Sequence, residues 1–154
     1  PSAGVSEFIF SDGSTLSAAQ ITTEAQIGSA ENTALYAYGG SNTLILNGFA
    51  TLAQDFGGGA DVIQYSTLDG DLTVDLWSGL GSEQSVLQFG NGISADELTF
   101  STDGSGDVIV NIGTTGKQIN LDGMYGNNAS GVAEFIFADG TTLSATQIDA
   151  LIQT

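Results

Sequence analysis

The chain of 154 residues has no cysteine, no histidine, one proline and a single basic residue, Lys117. Without cysteine there is no disulfide framework and no thiolate for catalysis or for zinc. Without histidine as well, Ser/His, Cys/His and HExxH arrangements are all impossible. One cation against 18 acidic side chains gives a formal charge of −17. That excludes a nucleic-acid partner, whose phosphates are held by Lys and Arg that displace counterions, and it opposes binding to an anionic membrane. No apolar run approaches the roughly 18 residues of a membrane span, and the amino terminus lacks a basic-then-apolar leader pattern. A soluble chain without membrane insertion is expected. What remains chemically is oxygen, as carboxylates, hydroxyls and backbone carbonyls, which is the ligand set of a hard cation such as calcium. Composition therefore favours binding over catalysis, and no enzyme is expected.

Glycine is the residue in excess, with 22 of 154 positions, about twice the usual share of about 7%. Hydrophobic residues make up 41%, enough to build the core of one domain. A repeat organises the chain. Residues 5–21, Val-Ser-Glu-Phe-Ile-Phe-Ser-Asp-Gly-Ser-Thr-Leu-Ser-Ala-Ala-Gln-Ile, return as residues 132–148 at an offset of 127, with 13 of 17 positions identical. The chain reads as one period plus a second copy of its closing motif, either cut from a tandem array or head-to-tail assembly, or duplicated within one closed domain. Three regions follow: 1–27, the first copy; 28–92, a run of short strands and glycine turns; and 93–154, a module ending in the second copy.

The closing motif predicts its own structure. Alternation over 134–138 gives a short strand, Asp139-Gly140 reverses it, and Ser144-Ala-Thr-Gln147 is a capping-box pattern that starts a helix over 145–152. Ser17-Ala-Ala-Gln20 and Ser94-Ala-Asp-Glu97 repeat the device. Between them, short alternating runs at 35–38, 43–46, 49–52, 61–65, 72–77 and 85–89 predict strands separated by Gly, Asn or Asp. A hairpin is predicted from 97–102 with 107–112, and a further strand at 118–121. No interval holds a crossover helix of 10 or more residues, so a parallel α/β sheet is not expected. The expected fold class is mainly β: a β-roll or solenoid, or a sandwich, of short strands with short capped helical turns.

The octet 57–64, Gly-Gly-Gly-Ala-Asp-Val-Ile-Gln, resembles the RTX, or haemolysin-type, calcium-binding nonapeptide GGxGxDxUx. Gly57 and Gly59 match two of its glycines, Asp61 the aspartate and Ile63 the apolar position, while Phe56 stands where the first glycine should be. Residues 39–44 are a weaker echo with Asn42 in the aspartate place, 19 residues earlier, as stacking on one side of a β-roll requires. Residues 87–98, 106–110 and 135–143 resemble the module that accompanies RTX repeats in large secreted bacterial proteins.

The resemblance implies a calcium-binding β-roll. It also implies a secreted or cell-surface protein working as a structural or adhesive block, whose partners are neighbouring repeats or identical subunits joined head to tail into an oligomer, rod or filament. Candidate ion ligands are Gly57, Gly59, Asp61 and Asn42, with Asp69 and Asp71 from the next turn. Each also reads as plain turn chemistry.

Asp103-Gly-Ser-Gly-Asp107 opens like an EF-hand loop but lacks its glycine and closing glutamate, so a hairpin loop is expected. Asp12 and Asp139 are expected to be structural. Trp77, Tyr36, Tyr38, Tyr65 and Tyr125 are either core aromatics or a sugar-stacking platform. The platform would belong to an alternative function, a calcium-dependent adhesin for carbohydrate or another surface ligand. Asn128-Ala-Ser130 fits a glycosylation sequon and marks an exposed loop.

Overall fold

A computed structural model describes residues 4–76, 84–125 and 131–152. The elements are β1 (Glu7–Ile9), β2 (Thr15–Ser17), α1 (Ala18–Ala25), β3 (Ala34–Ala37), β4 (Thr43–Ile45), β5 (Leu52–Asp55), β6 (Val62–Tyr65), β7 (Leu72–Leu76) and β8 (Ser85–Phe89). A 3-10 turn (Ala95–Glu97), β9 (Leu98–Thr102), β10 (Val108–Ile112), β11 (Lys117–Leu121), β12 (Val132–Ile136), β13 (Thr142–Ser144) and α2 (Ala145–Ile152) complete them. The protein is mainly β, as the turn spacing and alternation predict.

From β3 to β9 the chain alternates between two sheets; β10 and β11 then stay in the sheet of β9, and β12 and β13 return to the other. One runs β3-β5-β7-β11-β10-β9 and the other β13-β12-β8-β6-β4. β3/β5, β5/β7 and β7/β11 pair parallel, as do β4/β6, β6/β8 and β8/β12. Parallel neighbours normally need a crossover helix. Here the β3-to-β5, β4-to-β6, β5-to-β7 and β6-to-β8 crossovers are each a single strand of the opposite sheet, while β7-to-β11 and β8-to-β12 each span three strands, which is why the sequence shows short runs and no long helix. The β9–β10 hairpin and β10/β11 add antiparallel pairs at the far side.

Alternation places the core between the sheets. Leu35, Ala53 and Val74 from one sheet face Leu44, Ile63 and Leu87 from the other, and all are buried. Larger aromatics fill the end near the closing motif: Tyr65, Phe89 and Phe135 are buried, with ring centroids 5.9 and 5.4 Å apart along the series. Outward positions carry polar ladders, such as the Gln54 amide donating to Asp75 at 2.7 Å and Gln64 to Gln88 at 3.1 Å.

One predicted strand shifts. The alternation at 49–52 suggests a strand, but residues 47–49 form a turn and β5 starts at Leu52. Asn47 and Gly48 have φ of 56° and 78°, the left-handed region that ends a strand, and the Gly48 N–H is drawn to the Asp69 carboxylate at 2.5 Å. Turn chemistry outweighs a four-residue pattern there. Trp77 and the 128–130 sequon lie outside the described residues.

Candidate functional site

Before β6 the octet stacks on its echo. A Cβ on Gly57 would lie 2.0 Å from the Gly39 nitrogen, and one on Gly59, whose φ is 138°, would lie 2.0 Å from the Gly40 oxygen. Only glycine lets these two turns approach so closely. The stack then aligns polar side chains from successive turns. Asp61 is buried, and its Oδ1 accepts from the Asn42 N–H at 2.8 Å and from the Asn42 amide at 3.1 Å. Asn42 in turn accepts from the Gln26 amide at 2.6 Å and donates to the Gly40 carbonyl. On the other side the Asp61 N–H donates to Ser85 Oγ at 2.9 Å. The result is a ladder Gln26, Asn42, Asp61, Ser85, one rung per turn.

After β6 lies a separate turn. Asp69 is buried; one oxygen accepts from the Gly48 N–H, and the other from the Ser66 N–H at 2.6 Å and the Ser66 hydroxyl at 2.9 Å. Asp71 accepts from the Gln118 N–H at 2.9 Å and is exposed. The Tyr65 hydroxyl donates to the Gly70 carbonyl at 2.9 Å. Burial first, then the charges of Asp69 and Asp71, pushes that phenol up to about 12.

The six predicted ligands thus divide between the two ends of β6. Asn42, Gly57, Gly59 and Asp61 come together, while Asp69 and Asp71 do not join them. Amide and hydroxyl protons face the Asp61 Oδ1 and both Asp69 oxygens, a polarity suited to holding a turn rather than a cation. Among the described residues no three acidic side chains converge so as to hold a metal ion. In this conformation the six residues do not form one calcium shell.

Asp55 and Asp122 escaped the sequence reading. Asp55, buried at the end of β5, accepts from the Gly57 and Gly58 N–H groups at 2.8 and 2.9 Å and so builds the glycine turn. An Asp two residues before a glycine is the sequence signal for such a turn. Asp103, as expected, sits in the β9–β10 hairpin loop, and its carboxylate accepts from both the N–H and the hydroxyl of Ser105. Those bonds hold its carboxyl below the usual range. Asp107, at the foot of that loop, accepts from the Gly123 N–H at 2.8 Å and the Asn120 amide at 3.2 Å. Burial, then the charges of Asp107, Asp75 and Asp103, pushes Asp122 up. These carboxylates are near enough to repel, though they do not converge on one point.

Asp107 and Asp122 of this corner and all but the last residue of the closing motif fall in one stretch of sequence. Residues 107–147 match the family model of the haemolysin-type calcium binding protein related domain. The matched stretch contains β10 to β13 and the start of α2, a little over a quarter of the chain. Of the three segments on which the resemblance to an RTX-associated module rests, it covers 135–143 and all but the first residue of 106–110, and it excludes 87–98 and the glycine octet. No curated protein matches the chain.

The predicted aromatics separate by environment. Tyr65 is a core residue, whereas Tyr36 and Tyr38 are exposed and gather with exposed Phe56, at ring separations of 5.7 and 5.8 Å from it. Among the described residues no helix is long and apolar enough to cross a membrane.

Proposed function

We propose that this chain is a calcium-binding structural module of a secreted or cell-surface repeat protein, assembling head to tail and catalysing no reaction. The observation that carries this reading is the match of residues 107–147 to a haemolysin-type calcium binding related domain. The alternation of β3 to β9 between two sheets whose pairs there are parallel, with stacked glycine turns before β6, supports a roll or solenoid architecture. In such a fold each turn contacts only its neighbours, so length can grow by repetition.

Charge supplies the switch. A net −17 opposes compaction through self-repulsion until cations bind or salt screens it. The repulsion that raises Asp122 is of the kind a bound divalent cation relieves, and Asp107 and Asp122 both lie in the matched stretch. Calcium that binds the folded state alone stabilises it by mass action, and binding outside the cell then couples to folding. Circular dichroism and light scattering on one sample test this, first in excess chelator and then through a calcium titration at fixed ionic strength. Folding or assembly that requires calcium is expected. A chelated protein that is already folded and does not respond would sink the ion-gated reading.

A second reading has its own observation. The exposed rings of Tyr36, Tyr38 and Phe56 form a stacked patch on the outer side of β3 and β5, and such faces suit the C–H surface of a sugar. On this reading the module is a carbohydrate-binding adhesin domain. A sugar-dependent rise in melting temperature that Tyr38→Ala abolishes would favour it.

A further inference from the structure

Among the described residues are two copies of one plug and one seat for it. The seat is the outer side of β8 with the apolar surface beside it. β12 lies parallel to β8 there, with Phe135 opposite Leu87 and Ile136 opposite Gln88. The rings of Phe135 and Phe137 meet Phe89 at 5.4 and 5.1 Å, and α2 packs on β9.

The amino-terminal motif reproduces the plug in detail. β1 pairs β2 as β12 pairs β13, with each register shifted by 127 residues. Gly13 and Gly140 share a φ of 86°, and Ser17 and Ser144 each donate to their glutamine at 2.9 Å. Yet among the described residues β1 pairs with β2 alone, and Phe8 and Phe10 are 49% and 51% exposed where Phe135 and Phe137 are 0% and 3%. A strand with an open edge and two uncovered phenylalanines is a docking element without its dock.

The complementary surface is already in view. The residues of the plug that are buried in the seat, Val132, Phe135, Phe137 and Ile148, have unchanged counterparts in Val5, Phe8, Phe10 and Ile21. What accepts one copy accepts the other. We propose that β1 docks parallel on β8 of a second copy of this chain's body, residues 28–125, with Phe8 opposite Leu87 and Ile9 opposite Gln88. One motif then closes the unit before it and opens the unit after it. The contact joins different surfaces, so it propagates as an open rod rather than closing into a dimer. This inference deepens the head-to-tail assembly reading and rests on it.

One seat and two plugs set the condition for docking. The covalently attached closing motif competes at high effective concentration, so the incoming β1 needs a seat that this motif has left. Phe135→Asp with Phe137→Asp in the full chain vacates it. Light scattering is expected to show oligomers that grow with concentration, and adding Phe8→Asp should return them to monomer. Oligomers that persist with Phe8→Asp would overturn the proposal.

A second measurement leaves the plug intact and serves if the vacated variant fails to fold. In this cysteine-free chain, Ile9→Cys and Gln88→Cys proteins are mixed, unfolded and refolded together in a redox buffer. The Ile9/Gln88 heterodimer should exceed the Asp12→Cys control at least tenfold, and a yield equal to that control refutes the docking. If the wild-type protein assembles with calcium while this disulfide does not form, assembly stands and the β8 seat is wrong. If the disulfide forms without any calcium response, the seat stands and the ion gate falls.

Discussion

The two copies of the repeated motif are one structure in two environments. Residues 7–25 and 134–152 share strand register, an Asp-Gly turn and a Ser/Gln capping box, so these features follow from local chemistry alone. Burial does not follow. Ile148 is buried on the carboxy-terminal helix, whereas no residue of α1 is buried. The difference lies in what stands beside the strand: β8 and Phe89 flank β12, and nothing comparable among the described residues flanks β1. Local code builds the plug, and the neighbour decides whether it stabilises the fold.

Paired substitutions should expose that contrast most strongly at the phenylalanines. Phe135→Ala is expected to cost about 3–5 kcal/mol, because it empties a core position between Phe89 and Phe100. Phe8→Ala, half exposed, should cost about 0.5 kcal/mol or less. Urea unfolding midpoints measure both, and equal losses would mean that β1 is seated in the isolated chain.

The caps come next. Ser144→Ala should lower global stability by about 1 kcal/mol, since α2 is packed on the body. The same change at Ser17 should leave the global midpoint in place and speed amide exchange only in α1.

Protons sharpen the comparison further. Hydrogen bonds from Ser14 hold Asp12 below the ordinary carboxylate range, side chain before backbone, and those from Thr141 hold Asp139 there, backbone before side chain. A lowered folded value gives stability that is present above the unfolded value and lost as pH falls through the folded one. Both should titrate alike by NMR, but acid should release the α1 amides at Asp12 and affect the body only through Asp139.

Asp122 runs the other way. Its carboxyl is raised, so between the ordinary range and the raised value the folded chain holds a proton that the unfolded chain lacks, and stability falls as pH rises through that window. Asp122→Asn should flatten that slope and modestly raise the melting temperature at pH 7 in chelator. If calcium acts at this corner, the same variant should also weaken the calcium response.

Much of the fold was legible because turns announce themselves. Asp-Gly, Asn-Gly and Gly-Gly pairs mark reversals, and two-residue alternation between them marks strands, so β6, β8, β10 and α2 fall where the pattern puts them. The run at 49–52 misled because a four-residue alternation is weak against the Asn47-Gly48 turn and the distant Asp69 that holds it. The site was legible in part. The glycine octet and its echo at a 19-residue spacing foretold stacked turns, and Asn42 and Asp61 do meet. That Asp69 lies beyond the far end of β6 could not be read from spacing, since a carboxylate eight residues on can be near or far depending on how the intervening strand runs.

The sequence by itself determined the mainly β class, the duplicated plug and the exclusion of thiol and imidazole chemistry, because each depends on residue type or short-range geometry. Tertiary structure alone decided which strands became parallel neighbours, that the Asn42 and Gly48 N–H groups face Asp61 and Asp69, and which copy of the motif is covered. Those outcomes depend on contacts between residues about 20 to more than 40 positions apart, where no local pattern reaches and only the packed sheets bring the partners together.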